Sequence, residues 1–258
     1  MYQSTFRPAY WKNALAELRD LRKLIFAALI TALSVVIGSL FLTVGENLRV
    51  KFTFFVFAVG SAVYGPVLGT MVGAASDLLG YLLFPSGAYF PGYTLSAMLQ
   101  CLIYGLLLYR KRITVVRLFS AKFLVNYLVN VTLGSLWSQI LYGKGYLYYL
   151  TTSLIKNTVL LPLEVILLAA LFALVLPAFS RMGLLPGHEK KDLDRLSIGS
   201  SAWIVFGLDC LVAAGASLYY STTLTSGLGF CILGIVFAAA GLILLALGPF
   251  LQRRKQAG

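Results

Sequence analysis

The sequence carries little charge for its length. Only 12% of its 258 residues are charged, 59% are hydrophobic, and just nine are Asp or Glu. An average soluble domain has about 25% charged residues, so this composition excludes an ordinary water-soluble fold. It is typical of an all-α integral membrane protein with several spans.

Residue types that bind metals or perform catalysis are also scarce. The chain has one His and three Cys, and the thiols lie far apart in apolar stretches, where Cys usually acts as a small hydrophobe. These counts exclude a zinc or di-iron cluster. The sequence contains no P-loop, no paired His and carboxylate cluster and no Ser, His and Asp arrangement. We therefore expect neither an enzyme nor a self-contained ATPase, and no metal or other cofactor.

Long apolar runs make up most of the chain. A run of about 20 apolar residues crosses a bilayer as a helix, because hydrocarbon offers no partner to an exposed backbone N–H or C=O. The second and third runs are short and are joined by the tight turn Tyr64-Gly65-Pro66. The sequence predicts eight spans, at residues 24–44, 52–65, 67–84, 94–109, 118–141, 152–179, 198–220 and 228–250.

The basic residues are distributed unevenly between these spans. With the N-terminus inside, 17 of the 21 Lys and Arg residues fall on one side, within residues 1–24, 110–122, 181–195 and 253–255. The positive-inside rule makes that side the cytoplasm, so both termini are predicted to be cytoplasmic. The net charge of +12 then needs no nucleic acid as a partner.

An amphipathic segment precedes the first span. Trp11, Leu15, Leu18 and Leu21 recur at helical spacing with charged residues between them, which predicts an interfacial helix within residues 1–23. Such a helix is either an anchor on the membrane surface or a docking surface for a partner.

A polar segment separates the last two spans from the others. Residues 181–197 contain a Pro-Gly pair, a mixed-charge run and the single histidine, His188, which together predict a cytoplasmic linker. The linker divides a six-helix membrane domain, residues 24–180, from a two-helix transmembrane extension with a basic tail, residues 198–258.

Aromatic and basic residues recur on the predicted outer side. The connection between spans three and four, residues 84–93, includes Tyr89 and Phe90, and its prolines and glycines fix the path of the backbone. Its rings either line a cavity or lie at the membrane surface. The connection after the first span contributes Arg49 and Lys51, two apart in a polar segment.

Spans five and six add polar groups at membrane depth. Asn130 and Trp137 lie seven residues apart and so share a helix face, while Lys156 and Asn157 lie near the outer end of span six. The amides either contact a ligand or bond neighbouring helices. A planar, aromatic, anionic ligand needs rings to stack on, amides for its polar edge and cations for its carboxylates. A vitamin such as folate fits this description.

Apart from Lys122, four ionisable residues fall within the predicted spans, namely Asp77, Lys156, Glu164 and Asp209. Because such groups are costly in hydrocarbon, each is expected to have a partner or a function. Lys122, at the start of span five, is counted here among the cytoplasmic cations.

Several stretches together form a recognisable pattern. They are Leu48–Phe52 leading to Tyr64-Gly65-Pro66, Asp77–Gly80 continuing through Phe84–Ala97, and Ser135–Lys144 with Leu154–Asn157 and Leu161–Glu164. Over residues 24 to about 180, the chain resembles the substrate-binding S components of energy-coupling factor (ECF) vitamin transporters, of the folate type. Ala28 and Ala32 look like the first-helix motif of that family.

The resemblance implies a six-helix vitamin-binding protein of the bacterial cell membrane without catalytic activity. It would bind folate and dock on a transmembrane T component driven by two ATP-hydrolysing subunits. Coupling to the T component would map to Ala28 and Ala32. We expect the substrate to be bound by Arg49, Lys51, Tyr89, Phe90, Asn130, Trp137, Lys156 and Asn157. The alternatives are an S component for another vitamin or small precursor and, in a different class, a membrane-embedded enzyme or a structural subunit.

Overall fold

The protein is almost entirely helical. The computed structural model describes residues 7–43, 49–85, 89–143, 145–185, 200–223 and 228–256. The helices are α1 (Pro8–Ala16), α2 (Leu21–Ser39), α3 (Thr53–Leu83), α4 (Pro91–Leu108), α5 (Val115–Leu124), α6 (Gly134–Tyr142), α7 (Tyr146–Arg181), α8 (Ser200–Thr223) and α9 (Leu228–Gln256). A π-helix, Val125–Leu133, joins α5 to α6, and a short 3₁₀ turn, Glu17–Arg19, follows α1.

Six helical segments in the described ranges are long and apolar enough to cross a membrane. Five of them are α2, α3, α4, α7 and the part of α8 from Ser201 to Thr222, and the sixth is the continuous run Val115–Tyr142. A shorter apolar stretch, Phe230–Ala246, lies in α9. The predicted all-α membrane fold is confirmed, with one addition that the sequence did not signal: two short antiparallel strands, β1 (Phe41–Thr43) and β2 (Arg49–Lys51).

The predicted turn at Tyr64-Gly65-Pro66 lies inside α3. Gly65 has φ 82° and ψ −176°, a backbone conformation that essentially only glycine adopts. A Cβ placed on Gly69 would lie 3.2 Å from the Ser61 Oγ, whereas residues eight apart in a straight helix are separated by about 12 Å. The helix therefore folds back on itself at Gly65, which accounts for two predicted spans within one element.

The chain divides into two compact units. The first comprises residues 1–113 and 170–196, and the second comprises residues 114–169 and 197–258. The predicted boundary between a six-helix domain and a C-terminal extension falls in residues 181–197, most of which, including His188, lie outside the described residues. That boundary stays a prediction.

In the first unit, α2, α3 and α4 pack closely. A buried cluster joins Ala27 and Ile30 of α2 to Tyr64, Leu68 and Val72 of α3. Glycines allow α3 and α4 to meet backbone to backbone, as small residues do in membrane helices. A Cβ on Gly73 would lie 2.7 Å from the Ala97 carbonyl oxygen, and one on Gly105 would lie 2.5 Å from the Pro66 Cα.

The segment predicted to be an interfacial helix contains α1, Pro8–Ala16. Tyr10 and Ala14 are fully buried in the first unit, whereas Trp11 and Leu15 are 41% and 54% exposed. Trp11 and Leu15 thus lie on the outer face of α1, and a different face of that helix packs inward. Leu18, beyond the end of α1, packs against the buried cluster of α2 and α3. Whether the outer face meets lipid or a partner stays a prediction.

In the second unit, α8 and α9 form a tight helical hairpin. A Cβ on Gly241 would lie 2.9 Å from the Gly207 carbonyl oxygen, so the two helices approach at small residues. The hairpin also contacts α5, since the rings of Phe206 and Phe119 lie 6.4 Å apart. The C-terminal hairpin is therefore packed against α5 within the second unit.

Replacing Gly105 by Ala is expected to destabilise the protein by about 1 to 3 kcal/mol, because the new methyl group meets backbone that has no room to yield. The matched control is Gly80→Ala, whose Cβ meets no atom within 4 Å. Thermal unfolding in detergent, followed by tryptophan fluorescence, should show a lower midpoint for the first variant only. Equal midpoints would contradict the close approach of α3 and α4.

Candidate functional site

A buried ion pair lies within the helices of the second unit. The Lys122 ammonium lies 3.1 Å from a carboxylate oxygen of Glu164, and the two residues are 1% and 8% exposed. The assignment of Lys122 to the cytoplasmic cations is therefore wrong. Its side chain is buried because Glu164, on α7, neutralises a charge that would otherwise be too costly to bury.

A chain of amides extends from this pair. Asn126, which is fully buried, donates from Nδ2 to the second Glu164 oxygen over 2.7 Å. Asn130 then donates from Nδ2 to the Asn126 Oδ1 over 3.2 Å. Lys122, Asn126 and Asn130 thus recur every four residues along α5 and the π-helix. Glu164 connects Lys122 to Asn126, and Asn126 connects Glu164 to Asn130.

Ser153 extends this series of hydrogen bonds to α7. The Ser153 hydroxyl donates to the Asn130 backbone carbonyl over 3.3 Å, and the Asn157 Nδ2 donates to the Ser153 carbonyl over 2.8 Å. Two predicted substrate-binding residues, Asn130 and Asn157, are therefore brought into one network. We call the set Lys122, Glu164, Asn126, Asn130, Ser153 and Asn157 the polar ladder.

The π-helix that carries Asn126 and Asn130 is an unusual element. It runs for nine residues, Val125–Leu133, between the α-helical segments on either side. π-Helical turns are rare and occur frequently at functional sites, because the wider turn redirects side chains. Nothing in the sequence pattern distinguishes this stretch from an ordinary apolar helix. The other two predicted residues of this unit, Trp137 on α6 and Lys156 on α7, are both partly buried.

In the first unit, Tyr89 belongs to a second hydrogen-bonded group. Its hydroxyl lies 2.9 Å from the Thr94 Oγ1, which donates to an Asp77 oxygen over 2.7 Å. Asp77 thus obtains the partner that its place within a span requires. Phe90 packs edge to face on Tyr93, with ring centroids 5.9 Å apart. The entry to α4 is therefore held by aromatic contacts and by one carboxylate.

The two basic candidates of the first unit lie on a strand. Arg49 and Lys51 occupy β2, in register with Thr43 and Phe41 of β1. The hairpin fixes the backbone positions of both residues, and Lys51 is exposed.

Asp209 is the last of the four ionisable residues predicted within spans. It lies on α8 and is 8% exposed. Its Oδ2 has no hydrogen-bond partner within the described part of the chain. Nothing in the structure explains this residue.

An open apolar face lies on α2. Ala28 and Ala32 are both exposed, and Leu29 and Leu33 beside them are 63% and 45% exposed. The two alanines border a groove of about 590 Å³ between α2 and the C-terminal half of α3. Its remaining lining residues are Thr31, Val35, Val36, Leu79, Leu83 and Phe84. Small residues on such a face let another membrane helix approach closely.

A buried carboxylate fixes α1 beside the start of α2. Glu17 forms an ion pair with Lys23, accepts a hydrogen bond from the Tyr109 hydroxyl over 2.5 Å and lies 3.5 Å from an Arg110 nitrogen. The Tyr10 hydroxyl donates to the Gly105 carbonyl over 2.9 Å. Burial raises the pKa of both tyrosines well above its usual value, so both hydroxyls stay protonated as donors.

Comparison with known proteins shows which family this chain resembles in sequence. The family described as "ECF-type riboflavin transporter, S component" matches residues 19–177. The folate transporter FolT of Clostridium novyi (strain NT) is 34% identical over 158 residues, which are 61% of this chain and 92% of that protein. The folate transporter FolT of Leuconostoc mesenteroides subsp. mesenteroides is 31% identical over 153 residues, 57% of this chain and 82% of that protein.

A solved structure gives the same result. The crystal structure of FolT bound with folic acid aligns with a TM-score of 0.53 and 32% sequence identity, covering 57% of this chain and 88% of that one. The helices and the family match together define a multi-pass membrane protein of a transport system. This chain belongs to the S components of ECF-type transporters. The predicted family is confirmed, and because that family consists of transporter subunits, the prediction that the chain is not an enzyme is also confirmed.

Replacing Glu17 by Ala is expected to destabilise the protein by about 3 kcal/mol, because the buried Lys23 would lose its counter-charge. Asp20→Ala is the control, since Asp20 makes only a more exposed cap to the Arg22 N–H and its loss costs about 1 kcal/mol. Thermal midpoints in detergent measure both effects. A Glu17 variant as stable as the Asp20 variant would show that this ion pair does not hold the first unit together.

Proposed function

We propose that this chain binds folate and is the folate-specific S component of an ECF transporter in a bacterial cell membrane. The observation that carries the proposal is the chain's likeness to two folate transporters over most of their lengths, together with the folic acid bound in the related crystal structure.

The chemistry of the candidate residues supports this ligand. Folate joins a flat pterin ring to a glutamate with two carboxylates. The second unit offers an indole for stacking, amides for the polar edge of the pterin and an ammonium for a carboxylate. These groups belong to Trp137, Asn130, Asn157 and Lys156. The other predicted contacts, Arg49, Lys51, Tyr89 and Phe90, add cations and rings of the same chemical types.

Transport requires partners, since the sequence has no P-loop with which to hydrolyse ATP. We assign that step to two ATP-hydrolysing subunits acting through a transmembrane T component. The open face at Ala28 and Ala32 supports docking of the T component on α2. Without the buried Lys122, 16 of the 21 Lys and Arg residues still fall on one predicted side, which supports cytoplasmic N- and C-termini.

Riboflavin is the second candidate ligand, because the matching family is described as a riboflavin transporter component. Its isoalloxazine ring is flat and aromatic like a pterin, but riboflavin carries no carboxylate. The cations at Arg49, Lys51 and Lys156 favour the anionic vitamin.

Calorimetry on the purified full chain should show binding of folic acid without ATP. Trp137→Ala should raise the folic acid Kd about tenfold or more, because a tryptophan that stacks on a ligand commonly dominates the binding energy. Trp203→Ala, on α8, is the matched control and should leave the Kd unchanged. A wild-type chain that binds riboflavin but not folic acid would establish the second candidate instead.

Enlarging the small residues of α2 should separate binding from transport. Ala28→Leu and Ala32→Leu add side chains to an exposed face, so folic acid binding should survive. Folate uptake by cells that express the complete transporter should fall to background, because the partner helix loses close approach. Ala28→Ser and Ala32→Ser stay small and should transport normally. Normal uptake by the leucine variants would remove the coupling role from these positions.

A further inference from the structure

The Lys122–Glu164 pair poses a physical question. Replacing a buried ion pair with apolar residues of similar size is often neutral or stabilising, so such a pair contributes little to fold stability for its cost. Ionisable residues within membrane spans generally mark a function. Neither residue is among the predicted substrate contacts, but both are connected to one of them through Asn126.

The pair dictates the direction of the two side-chain hydrogen bonds that follow, at Asn126 and Asn130. An ionised Glu164 carboxylate only accepts, and the Lys122 ammonium only donates. Asn126 must therefore turn its NH₂ group toward Glu164, over 2.7 Å, and its carbonyl oxygen faces the other way. That oxygen accepts from Asn130, which must offer its own NH₂ group, over 3.2 Å. The charge at one end thus removes the freedom of both amides to flip.

The fixed hydrogen-bond directions determine which group Asn130 can offer to a ligand. One N–H of the Asn130 Nδ2 is donated to Asn126, which fixes the end of the amide at which the oxygen lies. The Oδ1 is the acceptor of the side chain, and the second N–H remains a donor. A carbonyl oxygen has two lone pairs, so it can accept from a ligand in addition to a donor of the protein. An Asn130 held in this orientation keeps Oδ1 at a fixed place, so it selects ligands that carry an N–H donor opposite that oxygen.

We propose that Lys122 and Glu164 are positioning residues that, through Asn126, fix the orientation of the Asn130 amide and make the site selective for an N–H donor on a heteroaromatic ring. The inference rests on the proposed function, because it takes Asn130 to contact the ligand. It assigns a role to three residues outside the set of predicted contacts.

A purely structural role for the pair is the competing explanation. The same two helical elements are also bonded by the Tyr127 hydroxyl and the Thr158 Oγ1, which lie 2.7 Å apart. That bond lies outside the polar ladder. Tyr127→Phe therefore weakens the helix contact without touching the amides, which makes it the matched control.

The test uses folic acid and aminopterin with the full chain. Aminopterin replaces the 4-oxo group of folic acid with an amino group, which turns the ring N3 from a donor into an acceptor. Wild-type protein should bind folic acid about tenfold or more tightly than aminopterin, the difference of one good hydrogen bond. In the variant Lys122→Leu/Glu164→Leu, which leaves no buried charge unpaired, this ratio should fall toward one while the thermal midpoint is maintained.

Asn126→Leu should have the same effect, because it removes the hydrogen bonds that connect Glu164 to Asn130 while keeping the ion pair. Combining it with the leucine pair should lower the ratio no further, as expected for residues acting in series. Tyr127→Phe should lower the thermal midpoint and leave the ratio unchanged. If the double variant does not fold, Asn126→Leu alone decides the matter.

Three results would overturn the inference. An unchanged ratio in folded Asn126→Leu or in the folded double variant, even with both Kd values raised, would reduce the pair to a structural role. If the combined variant lowers the ratio by the product of the two separate effects, the pair does not act through Asn126. A wild-type chain that binds neither folic acid nor aminopterin would contradict the proposed function itself, and the inference with it.

Discussion

Hydrocarbon supplies no hydrogen-bond partners, and this constraint governs the polar residues of the chain. Each polar side chain placed at membrane depth must be satisfied by protein or ligand, at a cost of several kcal/mol if it is not. The polar ladder answers this constraint in the second unit, where Lys122 and Glu164 neutralise each other and the amides are bonded in sequence. The Asp77, Thr94 and Tyr89 group answers it in the first. Polar groups held in fixed orientations are also what a binding site for a small polar vitamin requires.

Close packing between helices is the second feature that stabilises the fold. Gly73 and Gly105 bring α3 and α4 together with backbone against backbone, and Gly65 leaves room for the Tyr109 ring. Such contacts replace the hydrophobic driving force that lipid tails cannot provide between helices. The first unit thereby holds α2 in place without covering Ala28 and Ala32, which leaves that face open for another membrane protein.

Much of this architecture was predictable from the sequence, because apolar length and the positions of Gly and Pro report directly on membrane helices. The turn at Gly65, the helix before the first span and the small residues of α2 all follow from local patterns. Lys122 does not, because a lysine at the edge of an apolar run looks like a cytoplasmic flank until its partner 42 residues later is known. The π-helix and the β1–β2 hairpin also have no strong local signature. The predicted substrate contacts were chosen by chemical type and resemblance, and of these the structure joins Asn130 and Asn157 through Ser153.

The central claim is that this S component carries folate, and the most direct measurement is the identity of the small molecule that the chain retains. The full chain would be purified from bacteria in mild detergent and denatured, and the released compounds would be identified by mass spectrometry. The account predicts folate or a reduced folate in stoichiometric amount. Release of riboflavin instead of folate, or of no vitamin at all from well-folded protein, would contradict the account.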